Sequence, residues 1–231
     1  MRPVPWWALL SATGAPFFLI GGWTAGAARQ PDHYDPVFDT ISVLAGPGAT
    51  DAWIMQLGLA AAGACYLVTA FGLAVAGLLG RVLLALGGIA TGLVALFPQP
   101  ENGGSDEHAF VAGTAFVALA LWPVASTLTL RERFWPTWAD TLSPGAPRPW
   151  AVRRPAAILA SLIPIGLCAW FGVEMFSRGP WIGLTERFAA GAESIWPLVV
   201  AISARLTPYA LAGRAEAVAE PPGSAAASPL D

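Results

Sequence analysis

Six long apolar stretches, separated by short polar segments, dominate this chain. An α-helix rises about 1.5 Å per residue, so ~20 residues cross the roughly 30 Å hydrocarbon layer of a bilayer. The third stretch is short, and we expect it to form one leg of a tight hairpin with Gly80 at the turn. The pattern predicts an all-α, polytopic membrane bundle of six transmembrane helices. The six stretches are Trp6–Ala28, Ala52–Leu79, Arg81–Phe97, Ala109–Leu130, Ala156–Ser177 and Phe188–Leu206.

The composition agrees with a lipid-facing bundle and disfavours a soluble domain with a buried core. Hydrophobic residues make up 55% of the chain, charged residues only 12%, and eleven residues are tryptophan. All twelve basic residues are arginine, which is typical of proteins from GC-rich bacterial genomes. We therefore expect a multi-pass protein of the cytoplasmic (inner) membrane of a bacterium.

The arginines predict the orientation, because cytoplasmic loops carry the excess of positive charge. With the N-terminus inside, nine arginines lie on the cytoplasmic side and three outside, while most acidic residues collect outside. Both termini are therefore expected in the cytoplasm. The alternative, a cleaved signal peptide ending at Ala25-Gly26-Ala27, is disfavoured because the first apolar run is longer than the usual ~7–15 residues. The three outer arginines are Arg29, Arg178 and Arg187.

Residues 1–213 are expected to form one transmembrane domain, and residues 214–231 a disordered cytoplasmic tail. The tail is rich in Ala, Pro, Ser and Glu and could not bury a core. The segment Arg131–Pro155 combines prolines with tryptophans, which suits a cytoplasmic linker at the headgroup boundary. Cys65 and Cys168 lie mid-span, where each is interpreted as an apolar packing residue.

The first outer loop carries the densest polar pattern. Asp35 followed by Pro36 is a favourable helix start, and a short amphipathic helix to about Ala45 would place Asp35, Asp39 and Ser42 on one stripe. The alternative is a cap with solvated charges.

The other outer segments add five candidates. His108 follows the expected N-cap Ser105 and lies in the first turn of the fourth span. Thr185 is the expected cap of the last span. Ionisable groups within a span usually face a cavity or a partner. Ion pairing at the rim and a structural hydrogen bond for His108 are the alternatives. The four remaining candidates are Glu174, Glu186, Arg187 and Glu193.

Three short motifs resemble a six-helix prokaryotic membrane family known only as domain of unknown function nine-nine-eight. They are Asp39–Leu44, Phe97-Pro98 with His108 and Ala112, and Gly183–Arg187 before a Trp-containing last helix. The resemblance implies the topology and three matching polar positions on one face, Ser42, His108 and Glu186. In that family an Asp commonly follows the Ser, with Leu-Gly after it; here Val43, Leu44 and Ala45 stand instead.

Two classes of function fit these residues. The first is a non-enzymatic membrane protein whose outward polar pocket binds or translocates a lipid headgroup or small solute, with no cofactor. The second is an intramembrane hydrolase in which His108, Asp39 and Glu186 ligate a divalent metal that activates water. It resembles the seven-helix ceramidase-like hydrolases, but the last helix lacks their histidine pair. Membrane lipids are the expected partners and nucleic acid is not; the oligomeric state is left open.

Overall fold

A computed structural model describes residues 4–100, 104–128 and 148–207. Most of the linker and the whole tail therefore lie outside the described residues. Within the described part the chain is α-helical. The seven helices are α1 (Trp6–Ala27), α2 (Ile41–Ala45), α3 (Trp53–Gly72), α4 (Gly77–Val94), α5 (Asp106–Ala125), α6 (Arg154–Ser177) and α7 (Ile182–Leu206).

The six long helices form a ring in chain order. Each packs against the next, and α7 returns to α1 and closes the ring. The short helix α2 lies over one end, in contact with α1, α3 and α7. We call this end, where α3, α5 and α7 begin, the α2 end.

Small residues let the helices approach closely. A Cβ atom on Gly63 of α3 would lie 2.5 Å from the carbonyl oxygen of Gly88 in α4, and one on Gly58 would lie 2.9 Å from the carbonyl oxygen of Phe18 in α1. Membrane helices have little hydrophobic drive to associate with one another, so close backbone packing of this kind supplies much of their cohesion.

Among the described residues, five helices are long and apolar enough to cross a membrane, judged by length and composition. They are α1, α3, α5, α6 and α4 together with the turn before it (Ala74–Val94). Large apolar side chains such as Phe17, Phe110 and Phe176 are exposed on the outside of the bundle, as expected for a surface in lipid. These features indicate a membrane protein. The sixth expected span, α7, has 25 residues but is not among these five, because polar residues such as Glu186 and Glu193 reduce its hydropathy.

The predicted turn at Gly80 is wrong. Helix α3 ends at Gly72, and a 3-10 turn at Ala74–Ala76 leads to Gly77, whose φ of 63° suits a residue without a side chain. Gly80 and Arg81 lie inside α4. Buried Arg81 donates hydrogen bonds to the carbonyl oxygens of Ala70 (2.7 Å) and Phe71 (2.9 Å), so it caps the last turn of α3.

Candidate functional site

The loop between α1 and α3, which is the predicted first outer loop, is fastened to the start of α7 by backbone hydrogen bonds. The amide of Gly183 donates to the carbonyl oxygen of Phe38 at 3.1 Å, and that of Leu184 donates to Val37 at 2.9 Å. The first amides of a helix have no partner within the helix. The loop therefore satisfies donors that α7 cannot satisfy itself. Helix α7 begins at Ile182, so the predicted cap at Thr185 is wrong; the Thr185 hydroxyl instead donates to carbonyl oxygens of the preceding turn.

Arg187 strengthens this attachment from the side. Its guanidinium donates to the carbonyl oxygens of Pro36 (2.8 Å) and Asp39 (2.7 Å), and also to the hydroxyl oxygen of Tyr34. Burial raises the pKa of the Tyr34 phenol, against the opposing effect of the neighbouring Arg187. Arg187 therefore holds the loop and is committed to backbone oxygens and a phenol.

The predicted helix from Pro36 is shorter than expected. Helix α2 begins at Ile41, and Thr40 caps it by accepting a hydrogen bond from the amide of Val43 at 3.3 Å. The Asp35 carboxylate accepts from the amide of Val37 at 2.8 Å, and that of Asp39 accepts from the amide of Asp35 at 2.8 Å. These local bonds favour a turn over a helix. Asp35, Asp39 and Ser42 therefore do not form one helical stripe.

Glu186, Ser42 and His108 form a hydrogen-bonded chain at the α2 end, which we call the Glu186 cluster. One carboxyl oxygen of Glu186 accepts from the amide of Ile41, and the other lies 3.2 Å from the Ser42 hydroxyl. That hydroxyl lies 3.1 Å from Nε2 of His108, and Nδ1 of His108 lies 2.8 Å from the carbonyl oxygen of Phe97. His108 and Glu186 are both buried. The cluster joins α2, α5, α7 and the start of the loop after α4.

The hydrogen-bond count determines how many protons the cluster holds. A carbonyl oxygen only accepts, so Nδ1 of His108 carries a hydrogen. The single Ser42 hydrogen points either to Glu186, in which case Nε2 must donate and His108 is an imidazolium, or to Nε2, in which case Glu186 must be protonated. In both arrangements His108 and Glu186 together hold one proton more than a neutral imidazole and an ionised carboxylate would, so their net charge is zero. The neutral pair avoids much of the cost of burying a lone carboxylate.

A cavity of about 60 Å³ adjoins the cluster inside the bundle. A space of roughly 10–15 Å³ holds one water, so several water-sized groups fit. Its walls are mainly apolar, with polar groups at Ser42, Glu186, Thr91, Tyr66 and Glu193. Ligand sites commonly have such apolar walls with a few polar groups that fix the ligand's orientation.

Glu193 lies two turns deeper than Glu186 on the same face of α7, as the seven-residue spacing predicts. It is 3% exposed, and one of its oxygens accepts from the Cys168 thiol at 3.6 Å. Tyr66 of α3 is completely buried, and its hydroxyl has no hydrogen-bond partner among the residues described. Both side chains line the cavity.

The structure thus divides the predicted candidates. Ser42, Glu186 and Glu193 line the cavity, and His108 reaches it through Ser42. Asp35 and Asp39 are bound within the loop, Arg187 holds that loop, and Glu174 accepts a hydrogen bond from the amide of Trp181 at 3.1 Å. Their membership of a functional pocket stays a prediction that the geometry does not favour.

The metal-ligand set predicted for the hydrolase is not assembled. The described residues contain no group of three or more His, Cys, Asp or Glu side chains arranged to hold a metal ion. Asp39 is directed at the amide of Asp35, and the Ser42 hydroxyl stands between Glu186 and His108.

Sequence reasoning missed two parts of this region. Tyr66 could have been found as a phenol in the middle of an apolar span, where its hydroxyl needs a partner. The carbonyl oxygen of Phe97 carries no signal in the sequence, because every residue has such an oxygen.

The fold and the Glu186 cluster define a helical membrane bundle with a polar, hydrogen-bonded end above a mainly apolar cavity. The chain belongs to the family described as "Protein of unknown function (DUF998)", whose model matches residues 12–203. This match confirms the resemblance seen in the sequence motifs. No curated protein and no solved structure gave a match.

Proposed function

We propose that the chain is a multi-pass protein of a bacterial cytoplasmic membrane that binds or translocates a lipid headgroup or a small solute. The cavity beside the Glu186 cluster is the observation that carries this proposal. Its mainly apolar walls suit the carbon skeleton of a ligand, and the polar groups of Ser42, Glu186 and Glu193 suit its head.

The position of the cavity supports access from the α2 end. Helix α2 and the loop before it lie over this end. The loop is held to α7 by hydrogen bonds between the two segments. A small displacement of α2 would expose Ser42 and Glu186. Binding, with or without transport, requires no chemistry beyond what these residues offer.

The same proposal includes six spans with both termini in the cytoplasm. Helix α7 has the length to cross, and its buried polar residues face the inside of the ring. The α2 end is then the outer face, in agreement with the arginine distribution.

Single-cysteine labelling tests this topology. In a background with Cys65 and Cys168 replaced by alanine, Asp32→Cys should react with a membrane-impermeant maleimide in intact cells. Arg148→Cys should react only after permeabilisation, because it lies beyond the opposite end of the bundle. Labelling of Arg148→Cys in intact cells would contradict the orientation.

Filling the cavity tests the binding function. Ala115→Leu and Ala190→Leu each add three carbon atoms to the cavity wall, so both should remove most of the lipid or solute that co-purifies with the wild type. Mass spectrometry of extracts from protein purified in mild detergent measures the bound species. Ala64→Leu, an exposed alanine on α3, is the matched control and should retain them. Equal retention in all three folded variants would refute the proposal.

A further inference from the structure

Glu193 is a buried carboxyl without a cationic partner in the described part of the chain. The ion pair among the described residues joins Arg29 and Asp51, at 2.8 Å on the surface, and does not involve Glu193. The hydrogen bond Glu193 receives comes from the Cys168 thiol, which is a weak donor. Buried charges are normally paired with an opposite charge, because an isolated ion in an apolar surrounding is strongly unfavourable.

Tyr66 of α3 supplies a second, independent observation in the same cavity. The Tyr66 side chain is fully buried and lines the cavity, and its hydroxyl makes no hydrogen bond to the residues described. Buried polar groups without a partner are rare and costly in native proteins, and a bound ion or water is one reason for them. The phenol and the carboxyl of Glu193 line the same cavity.

We propose that the cavity binds a primary ammonium group carried on a short apolar chain, placed between Glu193 and Tyr66. This inference rests on the proposed binding function and specifies its ligand class. The ammonium supplies the positive charge that Glu193 lacks, and one of its hydrogens is donated to the Tyr66 oxygen. The apolar chain then contacts walls such as Leu59, Val94 and Phe116.

The geometry favours a primary ammonium over other polar heads. A hydroxyl would pair with Tyr66 but would bring no positive charge beside the buried Glu193 carboxyl. A quaternary ammonium has no hydrogen to donate to either oxygen. An anion is excluded because no cationic side chain lines the cavity in the described residues, while two carboxyls do. The Glu186 cluster is already neutral by its hydrogen-bond count, so Glu193 is the carboxyl that selects a positively charged ligand.

Binding of n-butylammonium to the purified full chain tests this selection, with 1-butanol as the neutral probe of equal size. Thermal-shift titrations should give an apparent affinity at least about tenfold higher for n-butylammonium, as expected for a charge-assisted hydrogen bond. Glu193→Gln should abolish that preference, and Tyr66→Phe should reduce it. Glu174→Gln, at a partly exposed carboxyl outside the cavity, should leave it unchanged.

Two sources of the ammonium are separated by native mass spectrometry of protein reconstituted with equal amounts of phosphatidylethanolamine and phosphatidylcholine. Retention of phosphatidylethanolamine that Glu193→Gln abolishes identifies a lipid headgroup as the source. Binding of n-butylammonium without lipid preference identifies a free amine. Equal affinity for the amine and the alcohol, or unchanged preference in Glu193→Gln, would overturn the inference. If the cavity-filling leucines still displace a co-purified species, the binding function stands although this ligand class fails.

Discussion

Replacement of Glu186 by alanine is expected to lower the free energy of unfolding by roughly 2–4 kcal/mol, the largest effect of any single substitution in the described site. The carboxyl accepts from the Ile41 amide in a buried bond and contacts the Ser42 hydroxyl in a partly buried one. Alanine would leave both donors without their carboxyl acceptor. Thermal melts in detergent, monitored by circular dichroism, measure the loss.

Glu186→Gln is the matched control, because glutamine reproduces one of the two proton arrangements. Its amide oxygen accepts from Ile41, and its NH₂ group donates to Ser42, which then donates to Nε2 of His108. We expect a melting temperature close to that of the wild type. ¹⁵N NMR of labelled histidine should show His108 protonated on Nδ1 alone. A doubly protonated His108 in Glu186→Gln, or a loss of stability equal to that of the alanine variant, would contradict the hydrogen-bond count.

Replacement of Gly183 by alanine is expected to destabilise the α2 end by about 1–3 kcal/mol, as is typical of overpacking. A Cβ atom there would lie 2.7 Å from the carbonyl carbon of Asp39 and 2.8 Å from the carbonyl oxygen of Pro36. These are backbone atoms of the attached loop, so they cannot move aside as a flexible side chain would. The loop must therefore shift away from α7. This shift weakens the hydrogen bonds made by Arg187 and the one from the Ile41 amide to Glu186.

Gly166→Ala in α6 provides the opposite sign on the same melting assay. No atom lies within 4 Å of a Cβ placed on Gly166, and alanine favours a helix by up to about 1 kcal/mol over glycine. We expect Gly166→Ala to melt at or above the wild-type temperature while Gly183→Ala melts below it. Equal melting temperatures for the two variants would show that the loop does not pack on Gly183 as described.

The attachment of the loop to α7 explains how distant segments make one site. Ser42 and Glu186 are 144 residues apart in the chain, yet their side chains meet because α7 returns to α1 at the end where α2 lies. Arg187 holds the loop together with the amides at the start of α7 that have no acceptor within the helix. The polar residues of this region thus have two roles: some fix the loop, and others face the cavity.

The sequence by itself determined the helical membrane class, the family and the polar character of one end. Long apolar runs can form only helices when they cross lipid, because every backbone polar group must be satisfied within the segment. Local chemistry also sufficed for the cap of α5, where Ser105 accepts from the amide of His108. The seven-residue spacing of Glu186 and Glu193 correctly placed both on one buried face.

Only the tertiary structure decided which polar residues meet and where α2 and α4 begin. The turn moved from Gly80 to the segment before Gly77, because α4 packs closely and Arg81 reaches back to cap α3. Helix α2 starts at Ile41, since Asp35 and Asp39 bond to nearby amides and Arg187 takes the loop carbonyls. The bonds from Arg187 to the loop carbonyl oxygens join residues 148 and 151 positions apart in the chain, and local sequence spacings do not predict such contacts.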